Sequence, residues 1–437
     1  MSRKRVSERP TAIDLFAGVG GLSLGLEQAG FDVLTAVDSD PVHALTYHYN
    51  FPCTEVLCED ITGLSAGRLL SAAQRAATAL GRPWDGEIDC IAGGPSCQGF
   101  SVIGARDPTD PRNSLVLEFA RLAGEIRPRY VLLENVPGLL SPGHKDVFAG
   151  LTRSLCDAGY DLGGTPWTLD AYDFGVPQRR RRVFLVGTRR GLATPGRPAR
   201  SLHISASEAL GDLVSLARYP TGEGVNEIAL SDEEAAALSA AASSYVARLR
   251  GQHAPEDLST PRRWEPRFVT CTAGTTHSDS VRSRFAALKP GERESLSKLP
   301  RLDPAKPSPT LRAGTGRDHG SHTSVRPVHY ASPRVITVRE AARLHTFPDW
   351  FRFHATRWHA LRQIGNSVPP ALAQAIGCSV VLALGLNPKR RAPIDLGDPG
   401  NLEMSLEKAA RALKVPASQL PPPRRPQQAK WPLAAPL

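Results

Sequence analysis

The chain has 437 residues, 41% of them hydrophobic, and a formal net charge of +10, enough for a sizeable core in two lobes and a modest pointer to a polyanionic partner. No apolar run reaches the roughly twenty residues of a membrane-spanning helix, and the basic start MSRKRVSERP leads into no apolar stretch of a secretory leader. The seven cysteines form no Cys-x-x-Cys pair, which argues against zinc, any other metal site and a disulfide framework, and for a reduced, cytoplasmic setting.

From residue 11 onward, short apolar runs alternate with amphipathic stretches. AIDLF (12–16), DVLTAV (32–37), IDCIAGG (88–94), YVLLEN (130–135) and RVFLVG (182–187) read as buried strands, with helices at 67–80 and 146–158. This alternation predicts an α/β fold over residues 11–213, a doubly wound, mostly parallel sheet covered on both faces. Ser231 with Glu234 three positions on predicts a capped helix over 231–249. The rest of 214–336 is rich in Arg, Thr, Gly, Pro and Ser and reads as a smaller, loop-rich lobe. Regularity returns at 337–347 and 363–385, where Pro369 and Pro370 suit the first turn of a helix. Residues 337–387 are therefore expected to complete the first domain. Beyond 388 the Pro- and Arg-rich chain reads as a mostly disordered tail to 437, with one helix-like segment at 404–413.

Four stretches carry chemistry. In DLFAGVGGLSLGLEQAGF (14–31) a strand runs into a glycine turn and then a helix, which lets a ligand approach free backbone N–H groups. The dinucleotide pattern Gly-x-Gly-x-x-Gly is broken, because Gly18 and Gly20 fit but position 23 is Ser. Asp38 follows Gly18 by twenty residues, where an acid binds ribose hydroxyls. An adenosine-bearing ligand without a pyrophosphate satisfies both facts, and S-adenosylmethionine is such a molecule. In GGPSCQGFS (93–101) a bend at a strand end presents Cys97, a nucleophile once ionised. In YVLLENV (130–136) Glu134 ends an apolar strand, costly unless it is exposed, paired or used. In FGVPQRRRRVFLVG (174–187) four arginines enter a strand, and alternation sends Arg180 and Arg182 to one side and Arg179 and Arg181 to the other. Each feature also has a plain alternative: a packing glycine, a buried thiol, a hydrated strand end, a solvated charge run.

Taken together, these stretches resemble the DNA cytosine-5 methyltransferase family of bacterial restriction–modification systems, in order and spacing, from about residue 11 to 380. DLFAGVGG resembles the cofactor motif, GGPSCQGFS the nucleophile loop, Glu134-Asn135-Val136 the Glu-Asn-Val motif, Gln178-x-Arg180-x-Arg182 the arginine motif and GNSVPP (365–370) the closing motif. The resemblance implies that Phe16 stacks on adenine and Asp38 holds the ribose. It places Asp60 at the adenine amino group and has Asn366 and Ser367 complete the pocket, with Gly18, Gly20, Gly21, Ile61 and Pro95 lining it. Cys97 would attack C6 of cytosine, with Gln98 and Asn135 beside it. Glu134 would contact N3, Arg182 the O2 side, and Arg180 would brace the nucleophile loop. Ser101, Gln178, Thr310, Arg312 and Arg317 are the expected DNA contacts, with His319 and Arg326 as further candidates in the 214–336 lobe that would read sequence. The implied partners are S-adenosylmethionine, duplex DNA flipped one base at a time, and a restriction endonuclease acting at the same site; the chain is expected to be monomeric.

Three positions depart from the family pattern. Ser96 replaces the usual proline before the nucleophile, Asp38 stands for a Glu one methylene longer, and Ser39 for a bulky apolar residue. A tRNA-directed relative on the same fold and a catalytically silent DNA-binding homologue are the rival readings. A nicotinamide oxidoreductase fails on the glycine spacing.

Overall fold

The computed structural model describes residues 9–95, 115–219, 224–252, 254–313, 326–416 and 420. Its centre is a sheet of eight strands: β1 (Thr11–Leu15), β2 (Asp32–Val37), β3 (Glu55–Leu57), β4 (Cys90–Gly93), β5 (Tyr130–Asn135), β6 (Tyr160–Asp161), β7 (Trp167–Asp170) and β8 (Arg181–Arg189). The order is β3-β2-β1-β4-β5-β8-β6, with β7 also paired to β8. The strands from β3 to β5 are mutually parallel, whereas β8 runs antiparallel to β5, β6 and β7. All five predicted strands are present, the last as β8 in the antiparallel sense.

Helices cover both faces. On one, α3 (Ala66–Ala79), α4 (Leu115–Ile126) and α5 (Lys145–Asp157) bury Ile13, Leu15, Ile91, Val131 and Leu133. On the other, α1 (Gly21–Gln28) packs with a late helix against Ala12, Ala92, Tyr130 and Leu132, and α2 (Pro41–Asn50) follows β2. Each fully buried Leu, Ile or Val contributes about 1.5–3 kcal/mol, so strand alternation largely fixes which side chains face which layer.

After the sheet comes α6 (Ala206–Leu210). Residues 214–336 are sparse in regular structure: among the described residues they contain α7 (Asp232–Ala240), α8 (Ser244–Leu249), α9 (Asp279–Ala287) and a two-stranded ladder of β9 (Glu227–Ala229) with β10 (Phe268–Thr270). The helix predicted over 231–249 is two. Its start is capped as expected by Ser231 and Glu234, but Ser243 accepts from Val246 N–H and caps a second helix.

The chain then returns through α10 (Val338–Arg343), α11 (Arg357–Asn366) and α12 (Pro370–Leu384). α12 is the late helix against α1, and the two touch through glycines. A Cβ on Gly25 would come 2.3 Å from that of Ala373, and one on Gly377 2.8 Å from that of Ala29. The run Arg357–Leu384 is apolar and long enough to cross a membrane by composition. Ser367, Val368 and Pro369 divide it into two helices, however, and most of it is buried inside the fold.

The expected disordered tail is corrected over residues 388–416, which pack on the sheet-built half. Arg391 pairs with Asp32 at 2.7 Å, beside Arg9 and Arg82. α13 (Leu406–Ala412) buries Ala409 against Val42 and Leu45 of α2. Composition hid this because the anchoring is by long-range partners, Arg391 to Asp32, Arg390 to Asp257 O and Ala254 O, backbone bonds at Ile394 and Gly397, and one small apolar patch. Residues 421–437 lie outside the described residues.

Candidate active site

The parallel register brings the predicted chemistry together. Leu15 pairs with Val37 and with Gly93, and Gly93 with Leu133. One step further along these four chains stand Asp38, Phe16, Gly94 and Glu134, side by side at the carboxyl edge where open α/β sheets bind ligands.

At one end of this row, Phe16 has a φ of 61°, a left-handed conformation that costs a non-glycine residue about 1–2 kcal/mol and is concentrated at functional sites. Gly18 donates its N–H to Asp38 Oδ2 at 2.8 Å. At a φ of +57°, a Cβ built on Gly18 would meet nothing within 4 Å, so the turn leaves open space beside Phe16 and Asp38. Gly20 and Gly21 serve packing, because a Cβ would strike Phe51 at 2.4 Å and Val368 O at 2.4 Å respectively. Asp60 is exposed, and its Oδ1 accepts from Thr62 N and Oγ1 at 2.9 Å; Ile61 beside it is buried. Asn366 is exposed at the end of α11, while Ser367 Oγ donates to Gln363 O at 2.8 Å.

At the other end, Arg182 Nε lies 2.8 Å from Glu134 Oε1. The carboxylate that was costly unless paired is therefore paired, by a charge-assisted bond across the β5–β8 boundary. Gly94 is required beside it: a Cβ there would come 2.9 Å from Glu134 Oε2. Asn135 Nδ2 donates to Pro95 O at 3.3 Å and its Oδ1 accepts from Val136 N at 2.8 Å, so Asn135 steadies the start of the segment that leads to Cys97. Cys97, Gln98, Ser101, Arg317 and His319 lie outside the described residues.

The arginine motif reaches well beyond the sheet, and the nucleophile loop that Arg180 is expected to brace lies outside the described residues. Arg180 is 1% exposed and donates to Leu311 O, Gly365 O and Ser367 O at 2.9, 2.8 and 2.9 Å. Within the described residues it ties the second lobe and the return segment to the sheet. Gln178 is corrected from a DNA contact to a clasp. It is fully buried, its Nε2 donates to Leu344 O at 3.1 Å and its Oε1 accepts from Leu311 N at 2.9 Å. Thr310 Oγ1 donates to Arg179 O at 2.6 Å, which makes it part of the same clasp. Arg312 is exposed. Arg326 is mostly enclosed, and burial together with nearby Arg357 presses its pKa down to about 10.

Sequence reasoning missed three groups. Gly94 was read only as part of a bend. Ser23, noted as the residue that breaks the glycine fingerprint, donates to the buried Asp14 and accepts from Tyr47 OH at 2.8 Å. His43 lies 3.4 Å from Asp38 Oδ1, and its position three residues after the helix-capping Asp40 was the available signal.

A sequence profile of the C-5 cytosine-specific DNA methylase family matches residues 11–381. The chain is 41% identical over 423 residues to the Type II methyltransferase M.XorII of Xanthomonas oryzae pv. oryzae, covering 96% of each protein. It is 32% identical to the Type II methyltransferase M.DdeI of Desulfomicrobium norvegicum, covering 83% of this chain and 86% of that one. A crystal structure of a prophage-encoded E. coli protein, described as a candidate DNA modification methyltransferase, superposes with a TM-score of 0.67 at 33% identity, covering 86% of this chain and 99% of that one. The matched span contains the whole row from Asp38 to Glu134, and the chain belongs to the C-5 cytosine-specific DNA methylase family as a DNA (cytosine-5) methyltransferase.

Proposed function

We propose that the enzyme methylates one cytosine in a specific duplex sequence through a transient bond between Cys97 Sγ and ring C6, with S-adenosylmethionine as donor. The observation that carries this reading is the register row: Phe16, Asp38, Gly94 and Glu134 on adjacent chain ends, with Arg182 on Glu134. The row has room for an adenosine at one end and an acid–guanidinium pair for a pyrimidine edge at the other. The segment bearing the only motif-placed thiol starts between them.

The chemistry follows from cytosine itself. C5 is a poor nucleophile in the aromatic ring. Addition of the Cys97 thiolate to C6, with Glu134 holding N3, places enamine-like electron density on C5. Bound S-adenosylmethionine supplies an electrophilic sulfonium methyl. Loss of the C5 proton then restores the double bond and expels the thiol. Arg182 faces the O2 side and neutralises Glu134. Phe16, Gly18, Asp38, Asp60, Ile61, Pro95, Asn366 and Ser367 are the residues that would hold or border the donor, and the open space at Gly18 fits that use. A base inside a duplex is out of reach, so it is flipped out at a cost of a few kcal/mol. Exposed Arg312 and, from the sequence alone, Arg317 are the candidates to read guanine or phosphate. Similarity to bacterial Type II methyltransferases supports a role in protecting DNA from a partner endonuclease; the enzyme is taken to act as a monomer in the cytoplasm.

A duplex carrying 5-fluorocytosine at mapped sites tests the covalent step, because fluorine at C5 cannot leave as a proton does. With S-adenosylmethionine present, the parent enzyme is expected to form an adduct that survives denaturing electrophoresis. Cys97→Ala is expected to form none while still binding the duplex. An adduct in Cys97→Ala, or none in a parent that methylates the unmodified site, overturns the assignment. Methyl transfer to a tRNA transcript and not to DNA would restore the tRNA rival.

A further inference from the structure

Asp38 ends β2 with both carboxylate oxygens engaged. Oδ2 accepts from Gly18 N–H at 2.8 Å, and Oδ1 accepts from Asp40 N–H at 2.9 Å. Oδ1 also lies 3.4 Å from Nδ1 of His43. The other ring nitrogen of His43, Nε2, is 3.8 Å from Asp40 Oδ2. The imidazole thus stands between two carboxylates only two residues apart in sequence, and it is buried. The remaining charged or titratable groups near it are Arg362 and His359 on α11, and His354 just before that helix.

This placement is not explained by helix stability. His43 lies in the first turn of α2, which Asp40 caps through Val42 N and His43 N. A cation there opposes the helix dipole, which favours negative charge at this end. Burial also disfavours a charged ring. Asp40 and Asp38 nevertheless outweigh burial and the opposing Arg362, and push the His43 pKa up to about 9. His359 is pressed down to about 4 by burial and by its cationic neighbours. At neutral pH the cluster therefore holds one imidazolium, on His43, facing both acids.

We propose that His43 is a positioning residue for the methyl donor: its ring, set between Asp38 and Asp40, holds the Asp38 carboxylate turned against Gly18, so that this shortened carboxylate presents its free lone pairs to the two ribose hydroxyls. The proposal rests on the reading that S-adenosylmethionine binds at Asp38. A carboxylate one methylene shorter than Glu reaches less far, so its orientation matters more. Two backbone N–H groups fix its inner lone pairs, and His43 offsets the repulsion from Asp40 that would otherwise rotate it. Without the ring, the two partly exposed acids face each other with no cation between them, and like charges at close range repel.

The test is calorimetric binding of S-adenosylhomocysteine, which has the same ribose and is stable in solution, to the full-length parent, His43→Ala and His43→Asn. His43→Ala is expected to bind about tenfold more weakly, a loss of about 1.4 kcal/mol. His43→Asn, which keeps an N–H near the position of Nδ1 but not the positive charge, is expected to recover only part of it. DNA affinity and kcat at saturating donor should be unchanged, so the effect falls on KM for the donor alone. The discriminating arm uses the 2′,3′-dideoxy analogue of S-adenosylhomocysteine, for which parent and variants should bind alike. Equal binding of S-adenosylhomocysteine by parent and both variants overturns the proposal. So does an equal loss with the dideoxy analogue, which marks a merely structural histidine. If the parent itself fails to bind S-adenosylhomocysteine, or does not distinguish it from the dideoxy analogue, the cofactor reading at Asp38 falls instead.

Discussion

Beneath the glycine turn, Asp14 is fully buried with its Oδ2 on Ser23, and among the described residues its Oδ1 has no hydrogen-bond partner. At the junction of the second lobe with α10, Arg343 is equally buried but lies between two carboxylates, Asp212 and Asp349, the latter at 2.7 Å. Burial pushes the Asp14 carboxyl up to about 7, with Ser23 opposing. Asp349 goes the other way: burial would raise it, but Arg343 and Arg339 hold it below the usual carboxylate range. Glu340, on Arg334 at 2.7 Å, is likewise driven down to about 2 against burial by Arg334 and His329. The fold therefore houses a buried acid either as a near-neutral acid on a hydroxyl chain or as an anion caged by guanidinium. The first keeps a titration near physiological pH, and the second moves it to strong acid.

The largest expected effect breaks the cage. Arg343→Met leaves buried Asp212 without its guanidinium and Asp349 with only the longer contacts to Arg250 at 3.5 Å and Arg339 at 3.8 Å, and is expected to cost about 3–5 kcal/mol, read as a lowered urea midpoint at pH 7.5. Replacing Asp212 with Leu in the Met background should recover part of the loss. A single variant as stable as the parent would show that the cage carries no net charge burden.

Next comes the lone acid. A carboxyl raised from 3.8 to about 7 in the folded state contributes stability that is fully present below about pH 4 and is lost as pH rises through about 7. Parent stability should therefore fall across that window by on the order of 2–4 kcal/mol from this group. Asp14→Asn should flatten the fall, whereas a variant with the parent's slope would contradict it. Glu340 has the opposite sign: its contribution is present above about pH 4.5 and lost as pH falls through about 2.

Glu134 sharpens the contrast, because it is a buried acid beside a guanidinium at the carboxyl edge of the sheet. Gly94→Ala places a Cβ 2.9 Å from its Oε2, and the side chain must shift. A displacement of this kind at the reacting edge is expected to lower kcat about thirtyfold with little change in KM for the donor. An unchanged kcat would mean that Glu134 tolerates the shift.

The sheet and its strand ends were legible because a buried strand leaves a continuous apolar run, and YVLLEN matches β5 residue for residue. The places of Glu134 and Arg182 were legible for the same reason: each ends or enters such a run. What sequence could not yield was register and long-range charge. Nothing local to Asp38 announces that Phe16, Gly94 and Glu134 stand level with it. Arg343 and Asp212 are 131 residues apart in the chain, and Gln178 was placed on DNA because a polar side chain in an arginine run has no local sign of burial. The clasp to Leu344 and Leu311 appears only when three segments meet.

The smallest expected effect concerns the one helix that became two. Pattern and propensity favour a continuous helix through AAASS, since alanine is the best helix former. Tertiary structure overrides this at Ser243, whose Oγ accepts from Val246 N–H at 3.1 Å and donates to Glu208 O at 2.6 Å. The break lets α8 turn so that Tyr245, Val246 and Leu249 enter the core shared with Phe347 and Phe351. Ser243→Ala removes both bonds and favours the straight helix that would pull those side chains out. It is expected to cost about 1–2 kcal/mol, read as a lower urea midpoint with far-UV helix signal unchanged or slightly raised. A variant as stable as the parent would show that the apolar anchors alone bend the chain, and that the cap follows the break without causing it.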